Sequence, residues 1–240
     1  MEWFESWFDS HYYHILYQNR DTQEAEGFVR ALTQKLEIPT ESRMMDLACG
    51  KGRYARLLAE YAEEVVGLDL SEESIKYAKQ FESGRLTFYK HDMRQLFRIN
   101  YFDFIFNLFT SFGYFKTDRE HLRVFMNIEK GLRPGGTFIF DYFNLASVKA
   151  KLVPQEVIQR GDYTFEVSRR IEHQQVIKRI KVQDTETRHY EEQVRAFTLT
   201  DFEAMFQEAG LQIVEKFGNY QLDPFEENAS ERLIIRAIKG

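Results

Sequence analysis

The 240-residue chain holds a single cysteine, Cys49, only four prolines, and no run of lysine or arginine long enough to make a basic block. A lone thiol cannot build an internal disulfide framework or a cysteine-based zinc site, so the expected compartment is reducing and cytoplasmic. The formal charge is -6, and without a basic patch the electrostatic footprint of a nucleic-acid binder is missing. The most apolar run, FDFIFNLF at 102–109, is too short and too interrupted to span a bilayer. The N-terminal MEWFESWFDS carries acids where a secretory signal needs positive charge. Among the six histidines only His11 and His14 stand close together, and no carboxylate-plus-histidine set completes a metal site. The expected partner is therefore a small molecule, with no metal, no nucleic acid, no membrane and no targeting segment. Nothing here sets an oligomeric state.

What is present is enough apolar material, 43% of residues, for a large core. From residue 43 onward short apolar strands alternate with helical patterns, which predicts a parallel sheet wrapped by helices. The strands read as RMMDL (43–47), EVVGLDL (64–70), LTFYK (86–90), FDFIFNL (102–108) and GTFIFDY (136–142). Between them YARLLAEYA, SEESIKYAKQF and DREHLRVFMNIEKGL have apolar residues at helical spacing, the last stopped by RPGG. Residues 1–37 read as an N-terminal helical cap, with Asp21 and Glu24 as a capping box and Phe28, Leu32 and Leu36 as one stripe. Residues 145–198 carry two-faced alternating runs such as YTFEVSRRIEH and QVIKRIKVQD, the pattern of an inserted antiparallel β lid. The α/β pattern then resumes, with Thr200 and Glu203 placed to cap TDFEAMFQEAG, followed by the strands LQIVEKF and RLIIRAIK. The expected organisation is a helical cap plus core over 1–144, a β lid over 145–198 on the substrate side, and a helix with a strand pair over 199–240 completing the core.

MMDLACGKGRYA at 44–55 carries the chemistry. GKGRYA fits the G-x-G-x-x-G/A spacing that lets a backbone turn tightly and approach a nucleotide, and it sits between a predicted strand and a predicted helix. Asp69 ends the next strand, where an acid can accept hydrogen bonds from ribose hydroxyls. A nicotinamide or flavin dinucleotide fits this outline too, but its pyrophosphate would meet Asp46 at the mouth of the turn, an unfavourable pairing in a partly desolvated cleft. A ligand with an ammonium group is better matched. S-adenosylmethionine offers an ammonium, a carboxylate, a sulfonium, a ribose and an adenine, with no phosphate.

DLACGKGRYA followed by GLDLSEESIKYA resembles the glycine-rich and acidic motifs of the class I S-adenosylmethionine-dependent methyltransferases. The resemblance continues through HDMR at 91–94, through FDFIFNLFTSFGYF and through GLRPGGTFIFDYF, so that it spans roughly residues 43–143. It implies a Rossmann-like, doubly wound, seven-stranded sheet with an antiparallel last strand, and S-adenosyl-L-methionine as cofactor. Two departures stand out. Ala48 replaces the glycine most common at that place. FNLFT stands where the amino-base nucleic-acid methyltransferases carry Asp/Asn-Pro-Pro-Tyr/Phe, which disfavours that type.

The resemblance implies a cofactor site of Asp46, Ala48, Gly50, Gly52, Arg53, Asp69, Leu70, His91, Asp92, Met93, Asn107 and Leu108, with Asp92 and Met93 at the adenine. Asp92 could instead cap a helix beginning near Arg94. Tyr13, Tyr17 and Arg20 share one helix face; they are either a packing stripe or, as in similar small-molecule methyltransferases, a helix folded over the cofactor carboxylate, for which Arg53 is a rival. Strand-end geometry places Phe109, Ser111, Tyr114, Tyr142 and Asn144 around the acceptor. Tyr114, Asp141 and His173 are the candidate general bases, none ranked above another. The expected activity is methyl transfer to nitrogen or oxygen of a small molecule. The alternatives are a nucleotide-dependent oxidoreductase, a non-catalytic S-adenosylmethionine-binding regulator, and an RNA or protein methyltransferase.

Overall fold

The computed structural model describes residues 2–18, 22–184 and 186–240. Three helices come first: α1 (Trp3–Phe8), α2 (His11–Leu16) and α3 (Thr22–Lys35). The alternating core follows as β1 (Arg43–Leu47), α4 (Arg53–Leu58), β2 (Glu64–Asp69), α5 (Glu72–Ala78), β3 (Leu86–Lys90), β4 (Phe102–Asn107), α6 (Asp118–Gly131) and β5 (Leu132–Phe143). Next are α7 (Leu145–Lys151) and four strands, β6 (Gln155–Arg160), β7 (Tyr163–Glu172), β8 (Gln175–Gln183) and β9 (Thr187–Arg195). The chain then returns to the core with α8 (Leu199–Ala209), β10 (Leu211–Phe217) and β11 (Arg232–Lys239).

The core sheet has seven strands in the order β10-β11-β5-β4-β1-β2-β3. Strands β1 to β5 pair parallel, while β11 runs antiparallel to both of its neighbours. This is the Rossmann-like sheet with a reversed last strand that the motifs imply. Helices cover both faces, so the central strands are apolar on both sides, and β4 is buried along its whole length. Alternation divides the core cleanly. Met45 and Ile105 face α6 and α8 with Phe125, Phe202 and Phe206, whereas Met44 and Phe106 face α3 and α4 with Phe28 and Leu58. Chain order reverses between β1 and β4, and ligands of such sheets bind beyond the strand ends at that point.

Strands β6 to β9 form a separate antiparallel meander. Its Phe165, Val167, Ile180 and Val182 pack with Trp7 and Leu16, so the second sheet shares a core with the N-terminal helices. Glu192 on β9 ties the two together: its Oε1 accepts from Trp7 Nε1 and from the Tyr17 hydroxyl, each at 2.7 Å, and Lys178 lies 4.0 Å from its other oxygen.

Several local expectations are corrected. The cap of α8 is Thr198, not Thr200: Thr198 Oγ1 accepts the Asp201 amide and the Asp201 carboxylate accepts the Thr198 amide at 2.7 Å. A capping box needs only a carboxylate that can reach back, and Asp201 does so. RPGG does not separate helix from strand, because β5 begins at Leu132. Asp92 caps no helix, since residues 91–100 have none. Helix α7, capped by Asn144 Oδ1 on the Ala146 amide, opens the segment read as strands alone. The Asp21 half of the predicted capping box lies outside the described residues.

Candidate active site

The strand ends β1, β2 and β4 open into a cavity of about 480 Å³ that α1 and α2 also line. Its floor is the turn after β1. Ala48, Gly50 and Gly52 all have positive φ, at 64°, 54° and 80°. Gly50 and Gly52 do different jobs. A Cβ on Gly50 would meet nothing within 4 Å, so that glycine leaves space at the cavity wall. A Cβ on Gly52 would stand 2.7 Å from the Phe88 ring, so Gly52 lets the helix start pack on the sheet and does not line the cavity.

Asp46, next to last in β1, is only 2% exposed, and its Oδ2 has no hydrogen-bond partner among the described residues. Burial, reinforced by the charge of Asp69, pushes its carboxyl up to about 7. A buried acceptor without a donor is costly, and it points to a cationic or donating ligand group. Asp69 ends β2. Its Oδ2 accepts the Gly50 amide and its Oδ1 the Ser71 amide, both at 2.8 Å, so the carboxylate is aimed while keeping acceptor capacity toward the cavity. Burial raises its pKa, and the amides of Ser71 and Gly50 oppose that rise. Helix α5 has its own cap in Ser71, which frees Asp69 for this role.

Asp92 and Met93 line the third side together with His91 and Leu70. Arg94 holds the Asp92 carboxylate from its side chain at 2.7 Å and from its backbone amide at 2.8 Å. Burial pushes the Asp92 pKa up, but the bonds from Arg94 outweigh it and leave the group below the ordinary range. The same guanidinium reaches Glu120 at 3.0 Å and Glu2 at 2.8 Å, fastening the N-terminal segment beside this wall.

The remaining wall is aromatic. Tyr13 of α2, Tyr17 just after it, and Phe109, Ser111 and Tyr114 after β4 all line the cavity, as do Leu108 and Arg53. The Tyr17 hydroxyl is committed to Glu192 and Lys178. Phe4, Phe8, His14 and Phe115 complete the wall and were not singled out in the sequence. The signal for two of them was there, since Phe4 and Phe8 are four apart and so share one face of α1.

Six expected residues lie elsewhere. Tyr142 is fully buried with its hydroxyl bonded to the Arg195 carbonyl. Asn144 is spent on α7 and on the carbonyls of Glu227 and Ser230. Asp141 is fully buried and paired with Arg232. His173 sits at the β7–β8 turn, exposed and away from the cavity. Asn107 is buried below the turn, donating to the Leu47 carbonyl at 2.8 Å. Gly52 is the sixth, for the packing reason given above. Strand residues that alternate toward the core cannot also face the cleft beyond the strand ends. Arg20 lies outside the described residues.

A mostly parallel sheet with a glycine turn, one acid at or near each of three strand ends and a carboxylate oxygen unpartnered among the described residues fits a cofactor with an ammonium, a ribose and an adenine. The fold and this donor set define an S-adenosylmethionine-dependent methyltransferase. The family model for a methyltransferase domain matches residues 39–210, and the chain belongs to that family. YqeM of Bacillus subtilis (strain 168), provisionally named a methyltransferase, is 27% identical over 215 residues, 85% of this chain and 86% of its own. The solved S-adenosylmethionine-dependent methyltransferase from Clostridium acetobutylicum ATCC 824 superposes with a TM-score of 0.81 at 21% identity, over 95% of this chain and 96% of that one. The sugar N-methyltransferase KedS8 from Streptoalloteichus sp ATCC 53650 superposes with a TM-score of 0.70 at 19% identity, over 95% and 92%.

Proposed function

We propose that the enzyme transfers the methyl group of S-adenosylmethionine to the nitrogen of a small amine, with an amino sugar as the model acceptor. The observation that carries this reading is the aromatic end of the cavity. Phe4, Phe8, Tyr13, Tyr114 and Phe115 wall it with His14, of the bases read from the sequence Asp141 and His173 are outside it, and the Tyr114 hydroxyl donates to the Thr110 carbonyl at 2.6 Å. An alcohol needs a base to become nucleophilic, whereas a neutral amine brings its own lone pair. Rings around the acceptor also favour the ammonium that results. The sugar N-methyltransferase among the structural neighbours supports the same class of acceptor.

When bound, S-adenosylmethionine supplies a methyl on a sulfonium, already activated for in-line displacement. The chain's own contribution is placement. Asp46 holds an ammonium and Asp69 the ribose hydroxyls, Asp92 and Met93 flank the base, and Phe109, Ser111 and Tyr114 bound the acceptor. Alignment and exclusion of water then supply most of the acceleration.

The test begins with calorimetric titration of S-adenosylhomocysteine beside NADH and ATP, followed by turnover on matched amines and alcohols. Micromolar binding of the first ligand alone, with transfer to amino sugars and not to their hydroxyl counterparts, is the expected result. Transfer to the alcohols at equal rates would sink the nitrogen reading.

A further inference from the structure

Just after β4, two consecutive residues leave ordinary backbone geometry. Phe109 and Thr110 have φ of 61° and 56°, the left-handed region that disfavours any residue with a Cβ. Such residues persist only where their surroundings over-determine them. Here the determining residue is Asp141 on β5. Its Oδ2 accepts the Phe109 amide at 2.7 Å and its backbone carbonyl accepts the Thr110 amide at 3.0 Å. Arg232 on β11 donates to Asp141 Oδ1 and to Thr110 Oγ1, each at 2.8 Å. The Tyr220 hydroxyl donates to Asp141 Oδ2 at 3.2 Å. Thr110 is thus held at its amide, its side chain and, through the Tyr114 hydroxyl, its carbonyl.

We propose that Asp141 is a positioning residue for methyl transfer: with Arg232 it locks residues 109–110 in the left-handed conformation that sets Phe109 and Tyr114 into the cavity wall. It rests on the acceptor reading above in taking that wall as the surface the amine meets. Asp141 is itself fully buried and outside the cavity, so it acts through the loop and touches neither cofactor nor acceptor.

The test pairs Asp141→Leu with Arg232→Met, which remove the acceptor and the donor together so that no buried charge is left unpaired, and unchanged binding of S-adenosylhomocysteine reports that the fold survives. In this double variant amide hydrogen exchange over residues 108–111 accelerates by about tenfold or more, as expected when a local clamp opens. Exchange over residues 44–50 and affinity for S-adenosylhomocysteine stay within about threefold, as for a site that is not coupled. Turnover falls by about 10- to 100-fold, the scale on which a misplaced positioning group acts. Adding Thr110→Gly, which adopts the left-handed conformation freely, recovers about threefold of that loss. A purely structural role predicts no such rescue. Unchanged exchange at 108–111, or a loss of turnover that glycine does not relieve, overturns the proposal. The exchange measurement needs no acceptor, so a protein inactive on every amine would refute the acceptor reading while the hold of Asp141 on the loop was still decided by exchange.

Discussion

Asp46 carries a burden that only a ligand relieves. Its folded pKa of about 7 stands above the ordinary 3.8, so its own contribution to the stability of the ligand-free protein is fully present where Asp46 is protonated in both states, below about pH 4. That advantage is lost as pH rises toward 7, by on the order of 4 kcal/mol. An ammonium ligand favours the ionised form, so cofactor affinity is expected to rise with pH up to about 7 and then level, with uptake of cofactor releasing a proton below that point. Calorimetry in buffers of different ionisation enthalpy measures the proton directly, and Asp46→Asn should flatten the profile while weakening binding. Ala48, at φ 64°, is strained where glycine would not be. Ala48→Gly should therefore raise stability by about 0.5–1 kcal/mol in denaturant titration with cofactor affinity kept. The two loop glycines should separate by readout. Gly50→Val is expected to abolish binding and leave most of the fold. Gly52→Ala meets the Phe88 ring and should cost about 2 kcal/mol of stability through overpacking and positive φ.

At the scale of elements, the strands and long helices were legible because two-sided burial writes continuous apolar runs, as in FDFIFN, and amphipathic helices write a stripe. The end of α8 was misread because the rule sought glutamate where Asp201 reaches as well. The structure therefore expects Thr198→Ala to lower stability by about 1 kcal/mol and Thr200→Ala to change it little, a comparison that thermal unfolding of both variants decides. Helix α7 was hidden by its short length between strand patterns. The three strand-end acids Asp46, Asp69 and Asp92 were legible because spacing and motif order mark them. The fate of Asp141, Tyr142 and Asn144 was not, because DYFN in one dimension does not say which residues turn inward to Arg232, Arg195 and the 227–230 turn.

For the molecule as a whole, the N-terminal helices and the β6–β9 sheet share one small core and a set of polar ties, among them those at Glu192, although these residues are far apart in the chain. Periodicity cannot reveal such a partnership. Glu192→Ala is expected to lower cofactor affinity measured by calorimetry, even though residue 192 does not line the cavity, because Trp7 and Tyr17 lose a shared acceptor and Lys178 loses one of its partners. It should also cost about 3 kcal/mol of stability. Glu192→Gln, which can still accept from both rings, should lose much less, and equal affinity in all three proteins would mean that cap and sheet are independent. The strand order has a consequence for synthesis. Residues 232–239 form an interior strand, seated between β5 and β10, so while a ribosome is still making them the growing chain carries two unpaired sheet edges. The cofactor-binding half can pair early from nearby segments, whereas closure on the Arg232 side waits for the last strand. Assembly therefore runs from the cofactor side toward the acceptor loop, and the grip on residues 109–110 is among the last features to form.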